Sequence, residues 1–210
     1  MATAVQSLID QVVKEYSFDI DVTQALRELD IRHKSMVARA LADRRTITIG
    51  ETVAGQQVYP VTALELYELY VDGVPYGKVP RTSVAAARQG RLTWSPSWQG
   101  LFVATADAGG VAEVGLIPVP DTTGLEITAF AAVRADSLEQ AGVIAVDDEF
   151  SNALVEGAAA TFFARDAEQI PTADRNEARF DAACEELRLR IRARFRKPGP
   201  AQIRVQGVNA

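Results

Sequence analysis

The chain has 210 residues, of which 22 are basic and 28 acidic for a formal net charge of −6, and it carries one cysteine and one histidine. A chain of this size buries roughly 70% of its unfolded surface, so its core needs no crosslink, and the single cysteine excludes an internal disulfide and a Cys/His zinc cluster. No run approaches the roughly 18 apolar residues of a membrane span, and Gln6, Asp10, Lys14 and Glu15 interrupt any apolar leader, so a soluble chain made in a cytoplasm is expected.

The first predicted element is a helix. Val5, Leu8, Ile9, Val12, Val13 and Tyr16 fall on one 3.6-residue stripe. After a break at Ser17–Asp21, a second helix is predicted from Val22 or Thr23 to about Ala42, with Leu26, Leu29, Val37 and Leu41 inward and its charges solvated. His33 lies in the charged run Glu28–Lys34 and reads as a surface side chain, not a base. From Arg45 the period changes to two. Strands are predicted at Thr46–Ile49, Gln57–Val61, Leu66–Val71, Val74–Val79, Leu101–Ala106, Val111–Val119 and Leu125–Val133. Asp72-Gly73 is a strong hairpin signal, and Asp107–Gly110 and Asp121–Gly124 read as turns. Ser83–Arg88 reads as a short helical turn, followed by a polar loop holding Trp94, Pro96 and Trp98. Turns recurring about every ten residues point to an antiparallel sheet or small sandwich.

Two more helices are expected over Asp147–Lys197. The first runs from about Asp147, its cap, to Asp166, with Phe150, Leu154, Ala158, Thr161 and Phe162 as its stripe. Ala153, Gly157, Ala159 and Ala160 are small enough for another helix to approach closely. Pro171 is expected to stop the chain and Thr172 to cap the next helix. That helix carries Phe180, Cys184, Leu187, Ile191 and Phe195 on one face and spans about 24 residues, roughly 36 Å. Cys184, on the stripe, reads as a small buried hydrophobe. Beside the stripe stand Arg188, Arg190, Arg192, Arg194, Arg196 and Lys197. The seven basic residues and no acid from Arg188 onward leave 15 basic against 28 acidic before it, so a body of −13 carries an end of +7. One or two cations suffice to complement a helix C-terminus; six point to an electrostatically directed segment.

Catalytic patterns are missing from the sequence. It contains no phosphate-binding glycine loop, no G-x-G-x-x-G opening a helix, no G-x-S-x-G, no H-E-x-x-H and no D-x-D-x-D-G. Asp147-Asp148 and Glu185-Glu186 are adjacent in sequence, so their side chains diverge on a helix and cannot oppose each other across a substrate. The reading is of a non-enzyme without cofactor or metal. An acidic body argues against general DNA wrapping, yet suits a conduit from which DNA is repelled.

The segments TVAGQQVYPV (52–61), LYELYVDGVPY (66–76), LIPVP (116–120) and DDEFSNALVEGAAATFFAR (147–165), taken in order with the long last helix, resemble the head-to-tail adaptor (connector) proteins of tailed bacteriophages. The pattern covers most of the chain, and its most specific parts are G-Q-x-x-Y-P and E-F-x-x-A-L-V-x-G-A-A-A. The resemblance implies a virion structural protein of the neck, in a ring of twelve copies beneath the portal, with viral DNA passing through without sequence-specific binding. Its implied partners are the portal protein, neighbouring copies of itself and a downstream tail or stopper protein, with no membrane. The fold expected is α+β: a helical bundle formed by both chain ends (1–45 with 147–197), an inserted antiparallel β region (46–146) and an extended C-terminal docking tail (198–210). The portal-binding residues expected are Arg190, Arg194, Arg196, Lys197, Ile203, Arg204, Val205 and Val208, the alternating tail adding to a sheet edge of the portal. Two alternatives stand beside this reading: a tail-completion or stopper protein of the same neck, and a glycan-binding or hydrolytic β module using Trp94 and Trp98.

Overall fold

The computed structural model describes residues 3–15, 20–80, 83, 92–93, 99–195 and 204–205; at 15, 92, 93, 204 and 205 it describes the backbone alone. The expected helical turn at Ser83–Arg88, apart from Ser83, and the Trp94–Trp98 loop lie outside these residues. The chain divides into two compact units, one of residues 1–43 and 134–196, the other of residues 44–133 and 197–210.

The helical unit holds four helices: α1 (Val5–Glu15), α2 (Val22–Ala40), α3 (Ser151–Phe163) and α4 (Ile170–Arg194). The α1 stripe is spent on the core, with Val5, Leu8, Ile9 and Val12 fully buried. Asp21 caps α2, its Oδ1 accepting from the Gln24 N–H at 2.7 Å. α2 ends on Leu41 in a left-handed conformation (φ 54°), which lets the N–H of Ala42 reach back to the Val37 carbonyl at 3.0 Å. α3 is apolar around most of its circumference, as suits a central helix, with Asn152 and Glu156 on its outer face; Ala153, Leu154, Val155, Gly157, Ala158, Ala159, Ala160 and Phe162 are all buried. Its small residues do admit a neighbour closely, because a Cβ on Gly157 would lie 2.7 Å from the Phe180 ring of α4. Arg32 then ties three helices together: its guanidinium lies 5.2 Å over the Phe180 ring, donates to Glu177 Oε1 at 2.6 Å and to Thr161 Oγ1 at 3.2 Å.

Some local expectations change. Asp147 precedes a 3₁₀ turn, Asp148–Phe150, and α3 proper begins at Ser151. Pro171 does not stop the chain before α4 but sits in its first turn, where its missing N–H costs nothing, and Thr172 is inside the helix. Phe195, assigned to the buried stripe, is 48% exposed because α4 ends at Arg194. His33 is buried, not on the surface.

The second unit is a seven-stranded sheet in the order β1-β8-β3-β4-β6-β7-β2, from β1 (Arg44–Glu51), β2 (Val58–Ala63), β3 (Glu65–Val71), β4 (Val74–Lys78), β6 (Gly100–Asp107), β7 (Gly110–Ile117) and β8 (Glu126–Ala132). A separate two-stranded sheet joins β5 (Leu92–Thr93) to β9 (Arg204–Val205). Asp72 (φ 49°) and Gly73 (φ 74°) make the tight β3–β4 turn, with Val71 facing Val74. β2 alternates exposed and buried residues, as a half-buried strand must. Its Pro60, which lacks an N–H, lies in the edge strand, the place in a sheet that tolerates one. The two edges, β1 and β2, follow one another in sequence and touch, so the sheet nearly closes on itself around Tyr59, Leu66, Leu69, Phe102, Leu116 and Ile127.

The expected fold class is thereby corrected. The sheet is mixed rather than antiparallel, since β4 runs parallel to β6. Residues 79–99 between them supply the long crossover that a parallel pair requires. Nor is the C-terminal end after α4 a part separate from both units: it belongs to the β unit. It is not an extended tail along its length, because Arg204 and Val205 pair antiparallel with Thr93 and Leu92.

Candidate docking site

Residues two apart on a helix point about 200° from one another, so the alternating arginines of α4 divide between two faces. Arg190 and Arg194, four apart, share one of them. That face lies on the acidic run before α3. The Arg190 guanidinium is paired with Glu149 and with Glu186 one turn upstream, and sits 5.2 Å over the Phe150 ring. Hydrogen bonds to Glu149 first and Glu186 second raise its pKa further. Arg194 Nη2 reaches Asp147 Oδ2 at 2.8 Å. Asp148, between these acids, accepts instead from Thr3 Oγ1 at 2.7 Å, a bond that lowers its pKa.

The opposite face is different. Arg188 lies 3.5 Å from Glu185. Arg192 is exposed and has no ion-pair partner among the described residues. One turn before it, Leu189 is 63% exposed. The basic end of α4 is therefore not a naked cationic patch. Among the described residues, three of its arginines are ion-paired within the unit, which leaves Arg192 as the unpaired cation there, beside the exposed Leu189 and Phe195. Sequence reasoning missed Leu189 and passed over Arg192. An apolar residue off the buried stripe, next to arginines, was the available signal.

Of the expected docking residues, Arg190 and Arg194 stand in the helical unit, paired as above. Arg204 and Val205 stand in the β unit as β9. Arg196, Lys197, Ile203 and Val208 lie outside the described residues.

Two groups with chemical potential are held in structural roles. His33 Nε2 accepts from the Ala145 N–H at 3.0 Å. Burial pushes its pKa below the ordinary 6.5, with Asp30 opposing and Lys34 assisting, so the ring is a neutral acceptor in the core. Asp30 and Lys34 on the same helix hold the same segment, Asp30 accepting from the Leu138 N–H at 2.7 Å and Lys34 donating to Ser137 Oγ at 2.8 Å. Burial raises the Cys184 thiol to about 11, which leaves it protonated near neutral pH. Among the described residues, no helix is long and apolar enough to cross a membrane, and no cluster of three or more His, Cys, Asp or Glu is placed to hold a metal ion.

Comparison with known proteins agrees with the resemblance read from the sequence. The chain matches the family model described as SU10 adaptor protein over residues 3–204. No curated protein matches it. With nearly its whole length matched, the chain belongs to the SU10 adaptor protein family, a family of phage head–tail adaptors.

Proposed function

We propose that this phage adaptor acts without catalysis in the virion neck, as one copy of a twelve-membered ring beneath the portal that joins capsid to tail and lets DNA pass. The end of α4 and the C-terminal segment dock on the portal, and the β unit serves the tail side or a neighbouring copy. The observation that carries this reading is the exposure of Leu189, Arg192 and Phe195 where the other described arginines of the helix end are ion-paired within the unit. An apolar anchor beside one unpaired cation suits a protein surface: it offers buried area with one directional charge, not the continuous field that phosphate binding requires. To these the reading adds Arg196, Lys197, Ile203, Arg204, Val205 and Val208, with Arg190 and Arg194 reaching the portal only on release from Glu149, Glu186 and Asp147. Repetition around a ring makes later contacts effectively intramolecular and offsets the entropy of ordering each terminal segment.

The test mixes purified portal with this protein and looks for a ring-on-ring complex by electron microscopy. Formation of the complex, and its loss on deleting residues 198–210 from a chain that still folds, is the expected result. Failure of any complex to form overturns the reading. Capture of a tail component in place of the portal moves the protein to a tail-completion role.

A further inference from the structure

Three connections meet at one end of the β unit: residues 52–57 between β1 and β2, residues 118–125 between β7 and β8, and the Asp72-Gly73 turn between β3 and β4. Hydrogen bonds lock the first two together. The Gly55 N–H donates to the Pro120 carbonyl at 2.9 Å, the Ala54 N–H to Thr123 Oγ1 at 3.0 Å, and the Gly124 N–H to the Thr52 carbonyl at 2.8 Å. The third joins them through the Asp72 N–H, which donates to the Glu126 carbonyl at 2.8 Å. The chain enters and leaves the unit at the opposite ends of β1 and β8.

Two features of this end work against the isolated fold. Val53, Val58 and Val119, on or beside the joined loops, are 46%, 42% and 43% exposed, and grouped exposed apolar side chains mark interaction surfaces. Around them Glu51, Asp72, Asp121 and Glu126 are exposed and make no ion pair among the described residues. Residues 48–58, 70–76 and 115–128, which build this end, contain no lysine, arginine or histidine. Glu51 and Glu126 also face each other directly across β1 and β8, where like charges destabilise a sheet. We propose that this loop end is the docking surface for the tail-side protein of the neck, through a surface of that protein that is basic around an apolar patch. The inference deepens the function proposed above and rests on it: the cationic end of α4 is there given to the portal, so the complementary charge comes from a different protein and not from a second copy of this chain. Nucleic acid is the wrong occupant, because four carboxylates repel phosphate. Loops already locked by hydrogen bonds lose little entropy on docking, the valines supply area to bury, and a cation set against Glu51 and Glu126 removes their repulsion.

The test measures binding of the purified full-length protein to the purified tail protein that abuts it in the neck, with attachment to portal rings scored separately. Val53→Asp with Val119→Asp alters exposed side chains only, so circular dichroism and portal attachment should stay as in the wild type while tail-protein binding falls about tenfold or more. Glu126→Lys separates docking from folding. It sets an opposite charge across from Glu51, so the melting temperature should rise while tail-protein binding falls. Wild-type binding should also weaken as salt rises. The inference is overturned if the wild type does not bind the tail protein, or if either variant binds it as well as the wild type does. Self-association of the free protein that either variant abolishes would also overturn it, by placing a second copy on this surface. If the wild type fails to attach to portal rings, the docking role of α4 falls, while tail-protein binding still decides the loop end.

Discussion

Replacing Gly157 with alanine sets two effects against each other on a scale the structure supplies. In an unobstructed helix the change gains about 0.8–1 kcal/mol, since glycine is the poorer helix former. Here the new methyl would stand 2.7 Å from Phe180 Cδ2, 3.0 Å from Cγ and 3.3 Å from Cβ. Carbon atoms in good contact are about 3.5–4.0 Å apart, so roughly 0.8 Å must open between α3 and α4. The ring cannot swing away cheaply. Phe180 is fully buried under the Arg32 guanidinium, and its own Cβ is also close, so the helix axis has to move with it. Overpacking of this kind costs about 1–3 kcal/mol. The net expectation for Gly157→Ala is a loss of about 1 kcal/mol, a fall in melting temperature of roughly 2–4 °C. Urea unfolding followed by circular dichroism measures it as a lower midpoint at unchanged slope. Adding Phe180→Leu should relieve the clash, so that Gly157→Ala costs less in that background. A higher midpoint for Gly157→Ala alone would refute the account, for it would mean that the helices are not in firm contact at this point.

The buried histidine gives a pH dependence of definite sign. His33 has a folded pKa below 6.5, so as pH falls the unfolded chain takes the proton first. Its contribution is complete above about pH 6.5 and is lost as pH falls from there toward the folded value; urea midpoints against pH should show this slope in the wild type and lose it in His33→Gln. Thr52 is fully buried, its hydroxyl donating to the Thr122 carbonyl at 2.8 Å and accepting from the Leu125 N–H at 3.0 Å. Thr52→Val should cost about 1–3 kcal/mol by stranding both partners, while Thr52→Ser keeps most of the stability, again read from urea midpoints. Tyr59 holds the loop before β2, its hydroxyl bonding Gln56 O at 3.0 Å and Val53 N at 3.1 Å. Tyr59→Phe should lower the unfolding free energy by about 1 kcal/mol and speed hydrogen exchange at Val53. Leu189→Asp with Arg192→Glu should leave the circular dichroism and melting temperature unchanged and abolish portal attachment; retained attachment would exclude that helix face.

The helical stripes were legible because burial in a helix repeats with the helix: Val5, Leu8, Ile9 and Val12 needed nothing beyond their spacing. His33 was misread although the same rule covers it. It stands four after Leu29 and four before Val37, both buried, and the charges around it drew the eye from that register. Phe195 shows the opposite error, a stripe extended past the point where the helix has neighbours to pack on. In the sheet the strands and the Asp72-Gly73 turn were local and readable. The parallel β4–β6 pair was not, because which strand a long crossover returns to is decided by nonlocal packing. The proposed docking residues were legible as a charged cluster only. Arg190 and Arg194 meet Glu149 and Asp147 across 41 and 47 positions of chain, and no spacing rule reaches so far. That pairing decides which of the described cations there is left unpaired.

The register of the first and last strands of the sheet has an evolutionary corollary. Arg44 faces Ala132, so residues 44–133, a separately cored stretch, leave the helical scaffold and rejoin it within a single interstrand spacing of about 5 Å. Lineages can lengthen, shorten or trade it without disturbing the four-helix frame, since the frame registers only a short gap between Asp43 and Arg134. The inserted unit can thus diversify in what it presents while the helical unit keeps its own core.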